Sequence, residues 1–162
     1  MTRRTKRRLG GAALAAGLLA LTPARAAPAN TVAGPSFEVD VALSQAAAAR
    51  LANPKETIVV DAEIYGVPTS QKLLAETEGR LDLAPERKIE IPGAGAARFA
   101  ATKLDAGKLA EVEGHAARVA IEVFSGRRSS PNNVLDCDFF DDLLSVAAEK
   151  PVQAHCKLIG EP

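Results

Sequence analysis

The sequence has no tryptophan, one tyrosine, one methionine, two histidines and two cysteines in 162 residues. Each shortage narrows the chemistry. An aromatic share of 4% leaves little with which to line a sugar-stacking cleft, and the core has to be built mostly from Val, Ile, Leu and Ala. His115 and His155 lack the H-x-x-x-H spacing of a zinc site, and the cysteines lack C-x-x-C spacing. No G-x-S-x-G surrounds a serine nucleophile. Gly93-Ala94-Gly95 lacks the third glycine of a dinucleotide loop and reads as a hairpin turn. Asp136, Asp138, Asp141 and Asp142 lie close together, but Phe139 and Phe140 interrupt them and no glycine follows, so they do not make an EF-hand loop. No catalytic residue, metal ligand or cofactor is assigned.

Charge is balanced over the whole chain, with 20 basic and 20 acidic residues. It is not balanced along it. Arg3, Arg4, Lys6, Arg7, Arg8 and Arg25 take six of the 20 basic residues, and residues 1–26 hold no acid. From residue 27 onward, 14 basic residues stand against 20 acidic, a net charge of −6. A nucleic-acid binder usually has the opposite sign, and no basic stripe with interleaved aromatics occurs, so no nucleic-acid partner is expected.

Residues 1–26 read as a secretory signal. A basic start is followed by an apolar run over residues 9–21, short for a bilayer span. Pro23 interrupts it, and Ala24-Arg25-Ala26 fits the small-residue cleavage rule before Ala27. The paired arginines invite comparison with the twin-arginine route, but Thr5-Lys6-Arg7 stands where apolar residues belong, which favours the general secretory route. No later stretch is long and apolar enough to span a membrane, so no stable insertion is expected after cleavage. These features predict a periplasmic or secreted protein of bacterial type. Residues 27–35 form a flexible lead-in, and 36–162 a single domain with one core.

Cys137 and Cys156, the only cysteines, are expected to form a disulfide in an oxidising compartment. Residues 139–150 between them read as an amphipathic helix. Asp136 or Asp138 caps it, Asp141 and Asp142 sit in its first turn, and Pro151 ends it. Residues 151–158 alternate as a half-buried strand. Such a helix spans roughly 18 Å, and six extended residues span about 20 Å. A strand doubling back along the helix therefore brings Cys156 to Cys137.

The rest of the domain reads as strands broken by turns. Clear alternation covers residues 37–43, 57–65 and 117–124, with shorter strands at 79–83, 87–91 and about 97–104. Ser44 starts an alanine-rich helix over 45–52 and Asp105 one over 106–112, while 71–76 is ambiguous. The expected fold is mainly β: an antiparallel β-sandwich or curled sheet of about seven strands with short helices, including a C-terminal helix-strand unit tied by a disulfide.

The functional expectation is an exported, non-catalytic binding or interaction module, its partner another envelope or extracellular protein. Arg127 and Arg128 are the candidate binding residues, because paired arginines in an exposed loop suit carboxylate or phosphate groups. Two rivals stand beside this reading. A small-ligand carrier requires an apolar cavity inside the sheet. A hydrolase requires two convergent carboxylates.

Overall fold

The computed structural model of the chain describes residues 30–52 and 55–162. The signal expected over residues 1–26 lies outside the described residues, as do Ala27, Pro28 and Ala29 of the lead-in and Asn53 and Pro54.

Two sheets face each other. In chain order the strands are β1 (Thr31–Ala33), β2 (Phe37–Leu43), β3 (Ile58–Gly66), β4 (Leu81–Asp82), β5 (Arg87–Ile91), β6 (Gly95–Phe99), β7 (Lys103–Asp105), β8 (Arg118–Ser125), β9 (Leu135–Cys137), β10 (Phe140–Leu143) and β11 (Val152–Leu158). The helices are α1 (Gln45–Ala52), α2 (Gln71–Glu76), α3 (Ala106–Leu109) and α4 (Leu144–Glu149), with a short 3-10 turn at Glu113–His115. The first sheet runs β10-β8-β3, and β5 and β4 share the far edge of β3. The second runs β6-β2-β11-β9, and β1 and β7 pair separately.

The fold is mainly β and the ladders are antiparallel with one exception. β11 runs parallel to β2, pairing Val152 with Val39 through to Cys156 with Leu43. Parallel neighbours need a crossover rather than a tight turn, and here nearly the whole domain separates the two strands.

The alternating sequence sets the faces. In β2, Phe37, Val39 and Val41 point inward; in β3, Ile58, Val60, Ala62 and Ile64; in β8, Val119, Ile121 and Val123. Phe37 and Phe99 stack across the β2–β6 pair with ring centroids 4.7 Å apart. α1 follows the C-terminal end of β2, where Ala47 and Leu51 are buried. α4 packs near the N-terminal end of the same strand and buries Leu144 and Ala147.

Several expectations change. The helix expected over 139–150 is in part a strand: β10 takes Phe140–Leu143, and α4 is six residues long. The cause is tertiary. The outer edge of β8 offers Ile121, Ala120, Val119 and Arg118 as ladder partners, and residues 140–143 take them. Of the aspartates expected to cap the helix or sit in its first turn, Asp138, Asp141 and Asp142 bond elsewhere. The strand expected over 97–104 divides into β6 and β7, because each pairs in a different sheet. The Pro92-Gly93-Ala94 turn is not a hairpin within one ladder. It carries the chain from β5 in the first sheet to β6 in the second. Thr31–Ala33, within the lead-in expected to be flexible, pairs with Lys103–Asp105.

The disulfide forms, on a different frame from the one expected. Cys137 and Cys156 are direct partners on the adjacent antiparallel strands β9 and β11, with Cα atoms 4.0 Å apart. It pins the edge strand of the second sheet at the point where the chain leaves for the first.

Candidate functional site

The arginine loop is built around a buried acid. Glu56 is 1% exposed. Its carboxylate accepts the N–H of Arg128 at 2.8 Å and the N–H and hydroxyl of Ser129, both at 2.7 Å. It also accepts the N–H of Thr57 at 3.0 Å. Burial pushes the carboxyl up, but these donors outweigh it and hold the group at about 2. Gly126 opens the loop with its N–H on the Thr57 carbonyl at 2.7 Å. A Cβ there would collide with the Thr57 hydroxyl, so glycine is required by close approach.

The structure divides the Arg127–Arg128 pair. Arg128 grips Glu90 with two nitrogens, at 2.8 and 2.6 Å. This fork holds the Glu90 carboxyl at about 2, with the Thr57 hydroxyl assisting. Arg127 is exposed, adopts a left-handed backbone with φ of 58°, and borders a surface depression. The two side chains therefore have different surroundings, one in a fork and one at a concavity.

That concavity belongs to a larger surface centred on the crossover from β9 to β10. Three neighbouring depressions meet at residues 136–139. The first, about 400 Å³, lies over the second sheet and includes Ala42, Ser44, Asp136, Asp138, His155 and Lys157. The second, about 410 Å³, includes Arg127, Asn133, Glu122, Asp136, Asp138 and Phe139. The third, about 320 Å³, lies on the outer face of the first sheet and includes Asp61, Glu63, Glu86, Ala120, Glu122 and Phe139. Glu122 and Phe139 border both the second and the third. Phe139 is 58% exposed, on a crossover fixed by the neighbouring disulfide.

The face beyond Phe139 is a polar network with a tyrosine at its centre. The Tyr65 hydroxyl donates to Asp141 at 2.7 Å, and Arg118 donates to both groups from the next strand. The Arg80 guanidinium lies 3.7 Å from the centre of the Tyr65 ring and pairs with Glu63 at 2.9 Å and Asp141 at 3.5 Å. Burial and the Asp141 carboxylate push the Tyr65 phenol up, so it remains a donor. This network anchors β10 onto the first sheet.

The other residues singled out by sequence scatter. Asp138 accepts from the main-chain N–H of His155 at 3.1 Å and lies 2.9 Å from its ring Nδ1, and His155 in turn draws the Asp138 carboxyl down. Asp142 accepts the N–H of Leu143. His115, exposed in the 3-10 turn, approaches the Leu109 carbonyl. Among the described residues no set of three His, Cys, Asp or Glu is placed to hold a metal ion.

Ser44, His155 and Asp138 share the first depression, but they do not form a nucleophile relay. The Ser44 hydroxyl donates to Glu161 at 2.8 Å and accepts the Ala47 N–H as the cap of α1. A relay needs the serine proton on the histidine. Phe139, expected as the first residue of a helix over 139–150, stands instead exposed on the crossover between β9 and β10. No protein-family model, curated protein or solved structure matches the chain.

Proposed function

We propose that the chain is an exported, non-catalytic interaction module that docks another envelope or extracellular protein at the β9–β10 crossover, with Phe139 as the anchor and Arg127 at the rim. The observation that carries this reading is Phe139 itself: a large apolar side chain, mostly exposed, between two concavities and held by a disulfide-pinned strand. Aromatic anchors on rigid frames supply much of the energy in protein interfaces. The disulfide suits an oxidising compartment, and among the described residues no helix is long and apolar enough to cross a membrane.

The rival readings have less support. Phe99, Ile58, Ile64, Ile121 and Leu135 occupy the space between the sheets, where a carrier needs room. Asp61 and Glu86 converge, but on the Lys88 ammonium between them, at 2.8 and 3.1 Å. A glycosidase pair must instead flank the scissile bond.

The test replaces Phe139 with a photocrosslinking amino acid in the exporting cell, with the same label at Glu76 on α2 as control. One discrete adduct from position 139, absent from position 76, is expected. The captured protein should rebind the wild-type chain and not the Phe139→Ala variant. No adduct, or the same adducts from both positions, overturns the reading.

A further inference from the structure

This inference rests on the docking surface just proposed and concerns what the partner carries. In the β3–β8 ladder Asp61 stands directly opposite Glu122. Both side chains lie on the outer face, and like charges opposed across a ladder destabilise it. The cations nearby are already engaged. Lys88 bridges Asp61 and Glu86, and Arg80 bridges Glu63 and Asp141. Glu122 makes no ion pair among the described residues. Asp61 is 14% exposed, and its Oδ1 is shielded from water without a hydrogen-bond partner. Burial above all pushes the Asp61 carboxyl up, against the pull of Lys88.

The shape of the surface suits a side chain. Ala120, opposite Glu63 on one neighbouring strand and Asp141 on the other, leaves a low floor in the face. Phe139, Glu122, Glu63, Asp61, Glu86 and Arg80 complete the depression. One wall is aromatic and the rest is mainly carboxylate. An arginine or lysine has an apolar stem and a cationic head that match this division. The net charge of −6 from residue 27 onward favours the same partner at longer range.

We infer that this depression docks an arginine or lysine side chain from a basic segment of the partner protein, its stem against Phe139 and its cation between Glu122 and Asp61. The docked cation relieves the like-charge opposition in the ladder. The gain appears only in the complex.

The test is a nuclear magnetic resonance titration of the disulfide-bonded exported chain. The probes are acetyl-Leu-Arg-Leu-amide, the same peptide with citrulline for arginine, and free agmatine. Citrulline keeps the shape and removes the charge. The arginine peptide should bind about tenfold more tightly than its citrulline counterpart, as a charge-assisted pair does, and should move the resonances of Ala120, Glu122 and Phe139. Added salt should weaken it. Glu122→Gln, an exposed change that leaves the fold intact, should remove the difference between the peptides. Equal binding of the two peptides, no binding, or shifts confined to another face overturns the inference. Agmatine binding as tightly as the peptide also overturns it, making the depression a small-cation site. If crosslinking at Phe139 succeeds and the arginine preference fails, only the partner chemistry falls. If crosslinking fails, the docking surface falls as well.

Discussion

Cys137 lies directly across the β9–β11 ladder from Cys156, and two residues later the chain presents Phe139 to solvent. The bond therefore does two jobs: it ties a three-residue edge strand to the second sheet, and it fixes the exit of the chain toward β10. Replacing both cysteines with serine should cost about 3 kcal/mol by the loop-closure argument. Urea unfolding of the oxidised wild type beside the double variant measures it. Loss of the bond should also weaken capture at Phe139, because the anchor is no longer held. A double variant as stable as the wild type would remove the structural role given to the bond.

Glu56 should make the chain sensitive to acid. Its folded carboxyl is held at about 2, against an ordinary value of 4.5. A depressed carboxyl contributes stability fully above the unfolded value and loses it as pH falls toward the folded value. Stability should therefore decline between about pH 5 and pH 2. Glu90, also held at about 2 by Arg128, acts in the same direction from the surface. Glu56→Gln should lower stability at pH 7 by roughly 3 kcal/mol, since several loop donors lose a charged acceptor, and should flatten the acid limb. Urea midpoints at pH 7, 4 and 3 check both. An acid limb unchanged by the substitution would show that other carboxylates carry it.

Gly66 tests packing at the end of β3. A Cβ there would lie 2.5 Å from a methyl of Val112, which is fully buried. Gly66→Ala should destabilise by about 2 kcal/mol through overpacking. Paired with Val112→Ala, which vacates the space, the cost should fall below the sum of the two single changes, as it does for residues in contact. Additive costs would place the strain elsewhere.

Legibility followed local signal. The strongly alternating strands β2, β3 and β8 were readable because one face of each is buried and the period is two. Asp105 announced α3 through a side chain that caps its first turn, though the helix stops at Leu109 rather than 112, whereas the Ser70 cap of α2 went unread and left 71–76 ambiguous. The disulfide was readable from the count of two cysteines, though not its frame. β9 and β10 were illegible because each is short and forms only where a longer strand offers an edge. Residues 139–144, Phe-Phe-Asp-Asp-Leu-Leu, carry neither period cleanly, and tertiary pairing decided them. Arg127 and Arg128 look equivalent in sequence. Only the fold shows that Glu90, far along the chain, takes one of them.

Asp141 should be the residue that holds β10 in the strand state. It accepts from Tyr65, Arg118 and Arg80, three groups on other elements. Without them, the choice of residues 140–143 between ladder and helix loses its tertiary bias, and the outward face of β10 keeps no anchor. Asp141→Ala should leave Tyr65 and Arg118 without their shared acceptor and destabilise the chain by about 2–3 kcal/mol. The sharper readout is local. Amide hydrogen exchange at Phe140–Leu143 should rise by at least about tenfold beyond the global change, while the β3–β8 ladder at Ile64 and Val119 should follow only the global loss. Arg118→Lys should give a smaller version of the same pattern, because a lysine cannot reproduce the contacts to both the carboxylate and the main-chain carbonyl of Asp141. A uniform rise across both strands would mean that Asp141 supports the whole sheet rather than β10.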